Sequence, residues 1–248
     1  MKVAVCLSGQ TRSLEKTWQS IQEFLVEPYQ SDIFVHTWHD SPGVSNTSLR
    51  CLDNVDNFFG DKIVSSLYES HKDVSPYLKS ASKENQSSMF YSILACNELK
   101  KSFETKNSFK YDLVIRSRMD CLFHQEIEKS SIDKLLCDEN LILVRGESDH
   151  RIFNGNFFFD QKKSYICDIF AIGSSKSMDI FCDVYNHDEL LKSDFYDDSE
   201  SKIPELLKPN NVRPDWLSFK FFRQKSVKDD KFVMWSDYKD EGYIEKLV

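Results

Sequence analysis

The sequence lacks both a long apolar run and an excess of basic residues. No stretch of the 248 residues approaches the roughly 18 consecutive apolar residues that cross a bilayer, and the amino terminus lacks the basic-then-apolar order of a signal peptide. Acidic residues outnumber basic ones by 40 to 32, for a formal net charge of -8. Because nucleic-acid binders usually present a basic face, these absences predict a cytoplasmic protein with no transmembrane segment and no nucleic-acid partner.

Cysteine pairs and the common phosphate-binding glycine motifs are also missing. The seven cysteines are scattered and include no Cys-x-x-Cys pair, which predicts reduced core residues and argues against metal binding by cysteine. The chain has no Walker loop and no Gly-x-Gly-x-x-Gly motif, and only seven glycines in all. A glycine that directly follows an apolar strand is therefore informative, since it permits close approach of the backbone to a ligand.

What the chain does contain is an alternation of apolar segments and helical patterns. Residues 2–7 and 32–37 read as strands, and Leu14, Trp18 and Ile21 recur between them at helical spacing. Strands separated by a helix are usually parallel and joined by a right-handed crossover. Residues 83–106 predict a long helix that leads into a further strand. The pattern therefore predicts an α/β fold.

The second half of the chain continues this alternation less clearly. A strand is also expected near residues 62–66, within a loop-rich stretch. The remaining predicted elements are a helix at 132–136, strands at 140–145, 157–160 and 167–172, and helices at 176–185, 204–207 and 214–223.

A fully apolar strand ends abruptly in three charged residues. Residues 113–115 are aliphatic in unbroken succession, as in a strand that is covered on both faces of a parallel sheet. Ligands of such sheets collect at the carboxyl ends of the strands. Arg116 and Arg118 are suited to phosphate oxygens, and Asp120 to a divalent cation. The alternative is a surface cluster in which the arginines pair with neighbouring carboxylates.

A second candidate site follows the first strand. In Ser8-Gly9-Gln10-Thr11-Arg12, the glycine and the free amides of the following helix can meet a phosphate or a base, and Arg12 adds a cation. The same residues are also typical of a simple tight turn between a strand and a helix.

The remaining candidates are histidines and isolated carboxylates. His36 and His39 permit a zinc hypothesis, but zinc needs three or four convergent ligands, so a substrate-lining role or a satisfied core histidine ranks higher. Asp168, beside an apolar strand, is either a general base or a cap or ion-pair partner. Glu205 and Asp215, each next to a proline, are weaker candidates of the same kind, since both also suit the start of a helix.

Taken together, several of these segments resemble a family of small glycosyltransferases from bacteria and large DNA viruses that build surface glycans such as lipopolysaccharide. The resemblance lies in residues 3–12, 32–38 and 112–120, in that order, and continues in 168–174 and 214–217. It implies an α/β fold of GT-A type, a Rossmann-like mixed sheet flanked by helices. It also implies a single domain over 1–248, with a nucleotide-sugar-binding half at about 1–125, an acceptor half at 126–225 and an extension at 226–248.

The resemblance further implies transfer of a hexosyl or deoxyhexosyl group from a nucleotide-diphosphate sugar to a hydroxyl of a glycan acceptor. The donor would contact the following residues: Ser8, Gly9, Gln10, Arg12, His36, Arg116 and Arg118. Asp120 matches the second carboxylate of the metal-binding Asp-x-Asp of such enzymes, which hold Mn²⁺ or Mg²⁺, whereas Arg118 replaces the first. For an inverting reaction Asp168 is the first candidate base, followed by Asp215 and Glu205.

Two other functions are compatible with the sequence. A non-catalytic nucleotide- or glycan-binding protein would keep the arginines and aromatic residues without needing a carboxylate base. A sugar nucleotidyltransferase would also use a nucleotide loop and a metal carboxylate, but usually with a glycine-rich, lysine-containing loop near its start, which this chain lacks.

Overall fold

The computed structural model describes most of the predicted α/β region. The described residues are 1–11, 13–39, 55–81, 84–145, 152–153, 156–157, 166, 168–193, 199–217 and 221–223. The predicted donor-binding residue Arg12, part of the strand expected at 157–160, and the extension at 226–248 lie outside the described residues.

In the part of the chain that the structure describes, eleven strands form one large sheet and two small ones. In chain order they are β1 (Val3–Gly9), β2 (Asp32–Trp38), β3 (Ile63–Glu69), β4 (Leu113–Ser117), β5 (Cys121–Phe123), β6 (Leu141–Arg145), β7 (Ile152–Phe153), β8 (Asn156–Phe157), β9 (Phe170–Gly173), β10 (Arg213–Leu217) and β11 (Phe221–Arg223). The large sheet has seven strands in the order β10-β6-β9-β4-β1-β2-β3. All its neighbours are parallel except β9, which is antiparallel to both β4 and β6.

Eight α-helices connect these strands in the described part of the chain. They are α1 (Leu14–Ile21), α2 (Asp56–Phe59), α3 (His71–Val74), α4 (Glu84–Lys106), α5 (Lys129–Cys137), α6 (Ser175–Phe181), α7 (Asp188–Lys192) and α8 (Ser199–Leu207). A π-helical turn, Gln22–Val26, continues α1. No helix among the described residues is long and apolar enough to cross a bilayer.

Alternate side chains of each central strand bury on opposite faces of the large sheet. On one face Val5 and Ile115 pack with α1 and α5, and on the other Cys6 and Val114 pack with α4, α6 and α8. A strand covered on both sides needs apolar residues at every position, which is why β1 and β4 read as unbroken apolar runs. The predicted fold class, a Rossmann-like α/β fold with a mixed sheet flanked by helices, is therefore confirmed.

One predicted element is wrong. The helix expected at residues 214–223 is instead β10 and β11. Among the described strands, β10 pairs with β6 alone, which places it at the edge of the sheet. An edge strand tolerates Pro214, because one side of its backbone needs no hydrogen-bond donor. The helical spacing of the apolar residues here did not decide the structure.

A buried charged network joins α4 to α6 on the second face of the sheet. The side chains of Lys100 and Glu104 are fully buried and lie 3.3 Å apart. Lys100 Nζ also donates to Asp179 and Ser175 at 2.7 Å, and Ser175 Oγ donates to Glu104 at 2.6 Å. Because each buried charge has a partner, removal of one member leaves an uncompensated charge in the interior.

We expect Glu104→Gln to lower the free energy of unfolding by about 2–3 kcal/mol at neutral pH, because Lys100 loses its fully buried carboxylate partner and keeps only the partly exposed Asp179. Burial by itself raises the pKa of Glu104, but hydrogen bonds from Lys110 and Ser175 outweigh it and leave the pKa below its usual value. A lowered pKa in the folded state stabilises the protein above the usual carboxyl pKa. This contribution is lost as the pH falls through the folded value.

The difference in the free energy of unfolding between wild type and Glu104→Gln should therefore be largest at neutral pH and shrink below about pH 4.5. Urea unfolding followed from pH 3 to 7 measures it. Glu98→Gln is the matched control, since Glu98 forms an exposed pair with Lys101 and should change stability by less than about 0.5 kcal/mol. Equal effects of the two variants, or a pH-independent difference, would contradict the interpretation.

Candidate functional site

The carboxyl ends of β1, β2 and β4 meet at one edge of the large sheet. In the sheet register Cys6 lies beside Arg116, and Ser8 lies beside His36. Strand β9 runs in the opposite direction, with Phe170 beside Ser117, so the residues that precede β9 lie at the same edge. This topology brings Asp168, which is distant in sequence, next to the charged residues that follow β4.

The turn after β1 has the backbone that its glycine predicts. Gly9 has φ of +116°, a conformation that other residues rarely adopt, and its carbonyl accepts a hydrogen bond from Thr37 Oγ1 at 2.8 Å. Ser8 is buried and Gln10 is half-buried. The turn is therefore held against β2, with Ser8 facing the helix α4 side of the sheet.

Arg116 lies almost entirely inside the protein, with 2% of its surface exposed. Its Nη1 donates to the carbonyl oxygen of Ile169 at 2.6 Å, and its Nη2 lies 3.5 Å from Ser8 Oγ. Its buried Nε has no hydrogen-bond partner among the described residues. Burial lowers the pKa of Arg116, while the charge of Asp168 opposes that shift. The guanidinium is thus a buried positive charge with unused donor capacity.

Arg118 and Asp120 form a two-pronged ion pair. Arg118 Nε and Nη2 donate to Asp120 Oδ1 and Oδ2, both at 2.7 Å. The Asp120 side chain is 1% exposed, whereas that of Arg118 is 19% exposed. Burial by itself lowers the pKa of Arg118, but Asp120 outweighs it and the pKa is raised. The carboxylate therefore lies beneath the guanidinium and fixes its orientation.

The turn that carries this pair is anchored from α1. Thr17 Oγ1 donates to the carbonyl oxygen of Met119 at 2.5 Å, and the Arg118 amide donates to the carbonyl oxygen of Ile169 at 3.2 Å. Helix α1 and the segment before β9 thus both hold the turn at Arg118 and Met119. The position of the turn therefore depends on these two other parts of the chain.

Asp168 completes the cluster. Its side chain is buried, with 4% of the residue exposed, and its Oδ2 has no hydrogen-bond partner among the described residues. Its charge raises the pKa of both Arg116 and Arg118. The site thus combines two guanidinium groups with two carboxylates. A buried polar atom normally has a hydrogen-bond partner, but Arg116 Nε and Asp168 Oδ2 have none among the described residues.

The described residues do not form an evident metal site. Within the described ranges no three His, Cys, Asp or Glu side chains converge to hold a metal ion. Both oxygens of Asp120 already accept hydrogen bonds from Arg118, so a divalent cation on Asp120 would have to displace the guanidinium. The expected binding of Mn²⁺ or Mg²⁺ at Asp120 stays a prediction, which titration with these metals can test.

His36 lies in the core, and both of its ring nitrogens are engaged. It is fully buried, with Nδ1 2.7 Å from Ser92 Oγ and Nε2 2.8 Å from Glu69 Oε2. His39 is exposed and stacks on Tyr68 instead. The satisfied-histidine interpretation therefore describes His36 better than the zinc hypothesis, and direct contact of its ring nitrogens with a ligand would require Glu69 or Ser92 to move.

Glu69 and Ser92 were not found from the sequence. The strand containing Glu69 was expected to end near residue 66, whereas β3 continues to Glu69 and delivers its carboxylate to the same edge of the sheet. Ser92 is one of several serines in α4. No sequence pattern distinguishes the one that contacts His36.

The other two candidate bases lie elsewhere. Asp215 is in the middle of edge strand β10, where it pairs with Lys134 of α5, three strands from β4 in the sheet order. Glu205 is exposed on α8. Neither residue is at the start of a helix, and the described contacts bring neither to the arginines. Of the three predicted bases, only Asp168 lies in the cluster.

Asp120→Asn should lower the free energy of unfolding by about 2–3 kcal/mol, because an amide group would face Arg118 Nη2 and leave a mostly buried charge without its partner. Urea denaturation at neutral pH measures the change. The matched control is Glu139→Gln, which breaks an exposed pair with Lys176 and should cost less than about 0.5 kcal/mol. If both variants unfold at the same urea concentration, Asp120 does not hold Arg118 as described.

A structural comparison finds a crystal structure described as a glucose-1-phosphate thymidylyltransferase from Bacillus anthracis, in complex with sucrose. The match has a TM-score of 0.45 and 12% sequence identity, and it covers 92% of this chain and 91% of that chain. A likeness this weak carries no argument about the chemistry of the site.

A comparison with curated proteins finds no significant match. The model of a domain family of unknown function, DUF7796, matches residues 1–161. The matched region covers more than half of the chain and contains Arg116, Arg118 and Asp120, although it ends before Asp168. The protein therefore belongs to the DUF7796 family, a domain family of unknown function.

Proposed function

We propose that the protein is a glycosyltransferase that moves a hexosyl or deoxyhexosyl group from a nucleoside-diphosphate sugar to a hydroxyl of a glycan acceptor. The observation that carries the proposal is the cluster of Arg116, Arg118, Asp120 and Asp168 at the carboxyl end of a central strand. Open α/β sheets bind their ligands at that edge. The resemblance of residues 3–12, 32–38 and 112–120 to small glycosyltransferases of GT-A type supports the same reaction.

Arg118 would stabilise the leaving group. When the bond between the sugar and the diphosphate breaks, negative charge develops on the departing nucleoside diphosphate, and a preorganised cation lowers the barrier. Arg118 uses Nε and Nη2 to hold Asp120, so its Nη1 protons remain to be donated to phosphate oxygens. The guanidinium is 19% exposed, which permits that contact.

Arg116 would act mainly through its charge. It is buried at 2% exposure and is tied to the carbonyl oxygen of Ile169, which restricts movement towards a ligand. A positive charge in a water-poor site still acts on a nearby diphosphate, because the low local dielectric weakens screening. Ser8, Gly9 and Gln10 at the end of β1 would line the donor from the other side, together with Arg12.

Asp168 is our candidate for the base of an inverting transfer. Its buried Oδ2 accepts no hydrogen bond from the described residues, so it has the capacity to accept the proton of an acceptor hydroxyl. Its charge raises the pKa of the same arginines that would hold the leaving group. Acceptor and donor would thus meet at one cluster. Retention of configuration would not need a base in this place.

A divalent cation remains a second route for charge stabilisation. Mn²⁺ or Mg²⁺ would supply Lewis-acid stabilisation of the diphosphate if Asp120 released Arg118. Because the forked pair already engages both Asp120 oxygens, we propose that the arginines carry the charge and that any metal requirement is weak.

A panel of UDP-, GDP-, dTDP- and CMP-sugars tests the proposed function. We expect slow hydrolysis of at least one nucleoside-diphosphate sugar, with release of the nucleoside diphosphate. CMP-sugars, which carry a single phosphate, should react less well. Activity should change by less than about tenfold between Mn²⁺ and EDTA, because guanidinium groups supply the charge.

Three other outcomes would refute this proposal. If the protein neither binds nor hydrolyses any donor, it is not a glycosyltransferase. Release of pyrophosphate from a nucleoside triphosphate and a sugar 1-phosphate would instead identify a nucleotidyltransferase, the activity for which the Bacillus anthracis protein is named. Binding of a donor without turnover in the presence of acceptor glycans would favour a non-catalytic binding protein.

Two variants separate leaving-group stabilisation from proton transfer. Arg118→Ala should weaken binding of the nucleoside diphosphate and also lower donor hydrolysis by about a hundredfold or more. Asp168→Asn should leave that binding within about threefold, yet reduce hydrolysis by about a hundredfold. Glu205→Gln, which changes an exposed carboxylate, is the matched control and should retain full activity. A control that loses as much activity as Asp168→Asn would remove Asp168 from its assigned role.

A further inference from the structure

A second polar network lies under the same edge of the sheet, two strands beyond β1. Glu69, the last residue of β3, accepts a hydrogen bond from His36 Nε2 at 2.8 Å on Oε2 and one from Tyr91 Oη at 3.2 Å on Oε1. His36 in turn contacts Ser92 Oγ through Nδ1 at 2.7 Å. The network connects β2, β3 and α4.

The protonation states in this network follow from its geometry. The hydrogen bond from His36, followed by that from Tyr91, lowers the pKa of Glu69, so the group is a carboxylate at neutral pH. A carboxylate only accepts, which places a proton on His36 Nε2. Burial and the neighbouring Glu69 raise the pKa of Tyr91 to about 12, so its hydroxyl remains a donor.

This arrangement fixes Glu69 and leaves part of it exposed. The side chain of His36 is fully buried and that of Glu69 is 21% exposed. An ionised carboxylate has about four lone-pair positions, and the hydrogen bonds from His36 and Tyr91 occupy two of them. A buried polar network makes the structure rigid when each of its groups has a hydrogen-bond partner. The buried part of this network therefore holds the Glu69 carboxylate rigidly at the carboxyl edge of the sheet.

The position of Glu69 relative to the arginine cluster is set by the strand order β4-β1-β2-β3. Ser8, which lies 3.5 Å from Arg116 Nη2, is on β1, and Glu69 is two strands away. Neighbouring strands are about 4.8 Å apart, and Glu69 lies two residues beyond Leu67, which is level with Ser8 in the sheet register. The separation is therefore about 12 Å. That span is comparable with the distance from the diphosphate of a nucleotide to its nucleoside.

We propose that Glu69 accepts hydrogen bonds from the nucleoside half of the donor, and that His36, Ser92 and Tyr91 are positioning residues for its carboxylate. This inference rests on the proposed function, because it assumes that the diphosphate lies at Arg116 and Arg118. The groups recognised are the O–H donors of the ribose or an N–H donor of the base. Trp38 does not provide a stacking surface here, because it is 2% exposed and packs against Tyr91.

Calorimetric titration with UDP, GDP and inorganic pyrophosphate tests the inference on the full chain. Glu69→Gln should weaken binding of the preferred nucleoside diphosphate about tenfold or more, since a hydrogen bond to a charged group is lost. It should leave pyrophosphate binding within about twofold, because pyrophosphate has no nucleoside. Glu98→Gln, at an exposed pair with Lys101, is the matched control and should bind both ligands as the wild type does.

Further comparisons show whether the hydrogen-bond donor lies on the ribose or on the base, and whether Tyr91 positions Glu69. If Glu69 contacts the ribose, the wild type should bind the 2′-deoxynucleotide more weakly than the ribonucleotide. Glu69→Gln should bind these two nucleotides equally well. If it contacts the base, Glu69→Gln should instead lose discrimination between UDP and GDP. Tyr91→Phe, which frees one oxygen of Glu69, should weaken nucleoside-diphosphate binding by a few fold and spare pyrophosphate.

Distinct results would overturn this inference and the proposed function. Unchanged nucleoside-diphosphate affinity in Glu69→Gln, or equal losses for pyrophosphate, would remove Glu69 from the site and leave the transferase proposal intact. Binding that depends on Glu69, without any sugar release, would overturn the transferase proposal alone. A wild type that binds none of the three ligands would overturn both.

Discussion

The forked ion pair between Arg118 and Asp120 is the constraint on which the candidate site depends. A partly exposed guanidinium has many rotamers, and its conformational freedom opposes any defined contact with a ligand. Two hydrogen bonds from a buried carboxylate remove that freedom and direct the remaining protons outward. Placing the pair at the end of a strand covered on both faces keeps it away from bulk water. The ion pair thus supplies a positive charge on Arg118 whose orientation is already fixed.

The carboxyl edge of the sheet is organised as a row of supported polar groups. At β4 the support comes from Asp120, from the α1 side chain Thr17 and from the segment before β9. At β3 it comes from His36 and Tyr91. In both places a mostly buried partner holds a more exposed charged group. Such preorganisation favours binding, because the ligand does not have to order the side chains that meet it.

The elements that are set by local patterns were predicted well. The long helix α4, the unbroken apolar strands β1, β2 and β4, and the charged end of β4 follow from periodicity and composition. The helix expected at 214–223 was wrong, because apolar spacing over a few residues does not distinguish a helix from an edge strand that receives its hydrogen bonds from β6. His36 was predicted either to line a ligand or to be a satisfied core histidine. It is enclosed, and enclosure depends on α4, which is distant in sequence.

The sequence by itself determined that an α/β sheet forms and that two arginines and a carboxylate end its central strand, because strand burial and the turn residues are local properties. Only the tertiary structure decided which carboxylates meet them. Antiparallel β9 brings Asp168 to the arginines, and the length of β3 brings Glu69 to His36, whereas Asp215 is carried to the far edge of the sheet. These pairings are contacts between distant segments, and strand order, which the spacing of residues does not encode, selects them.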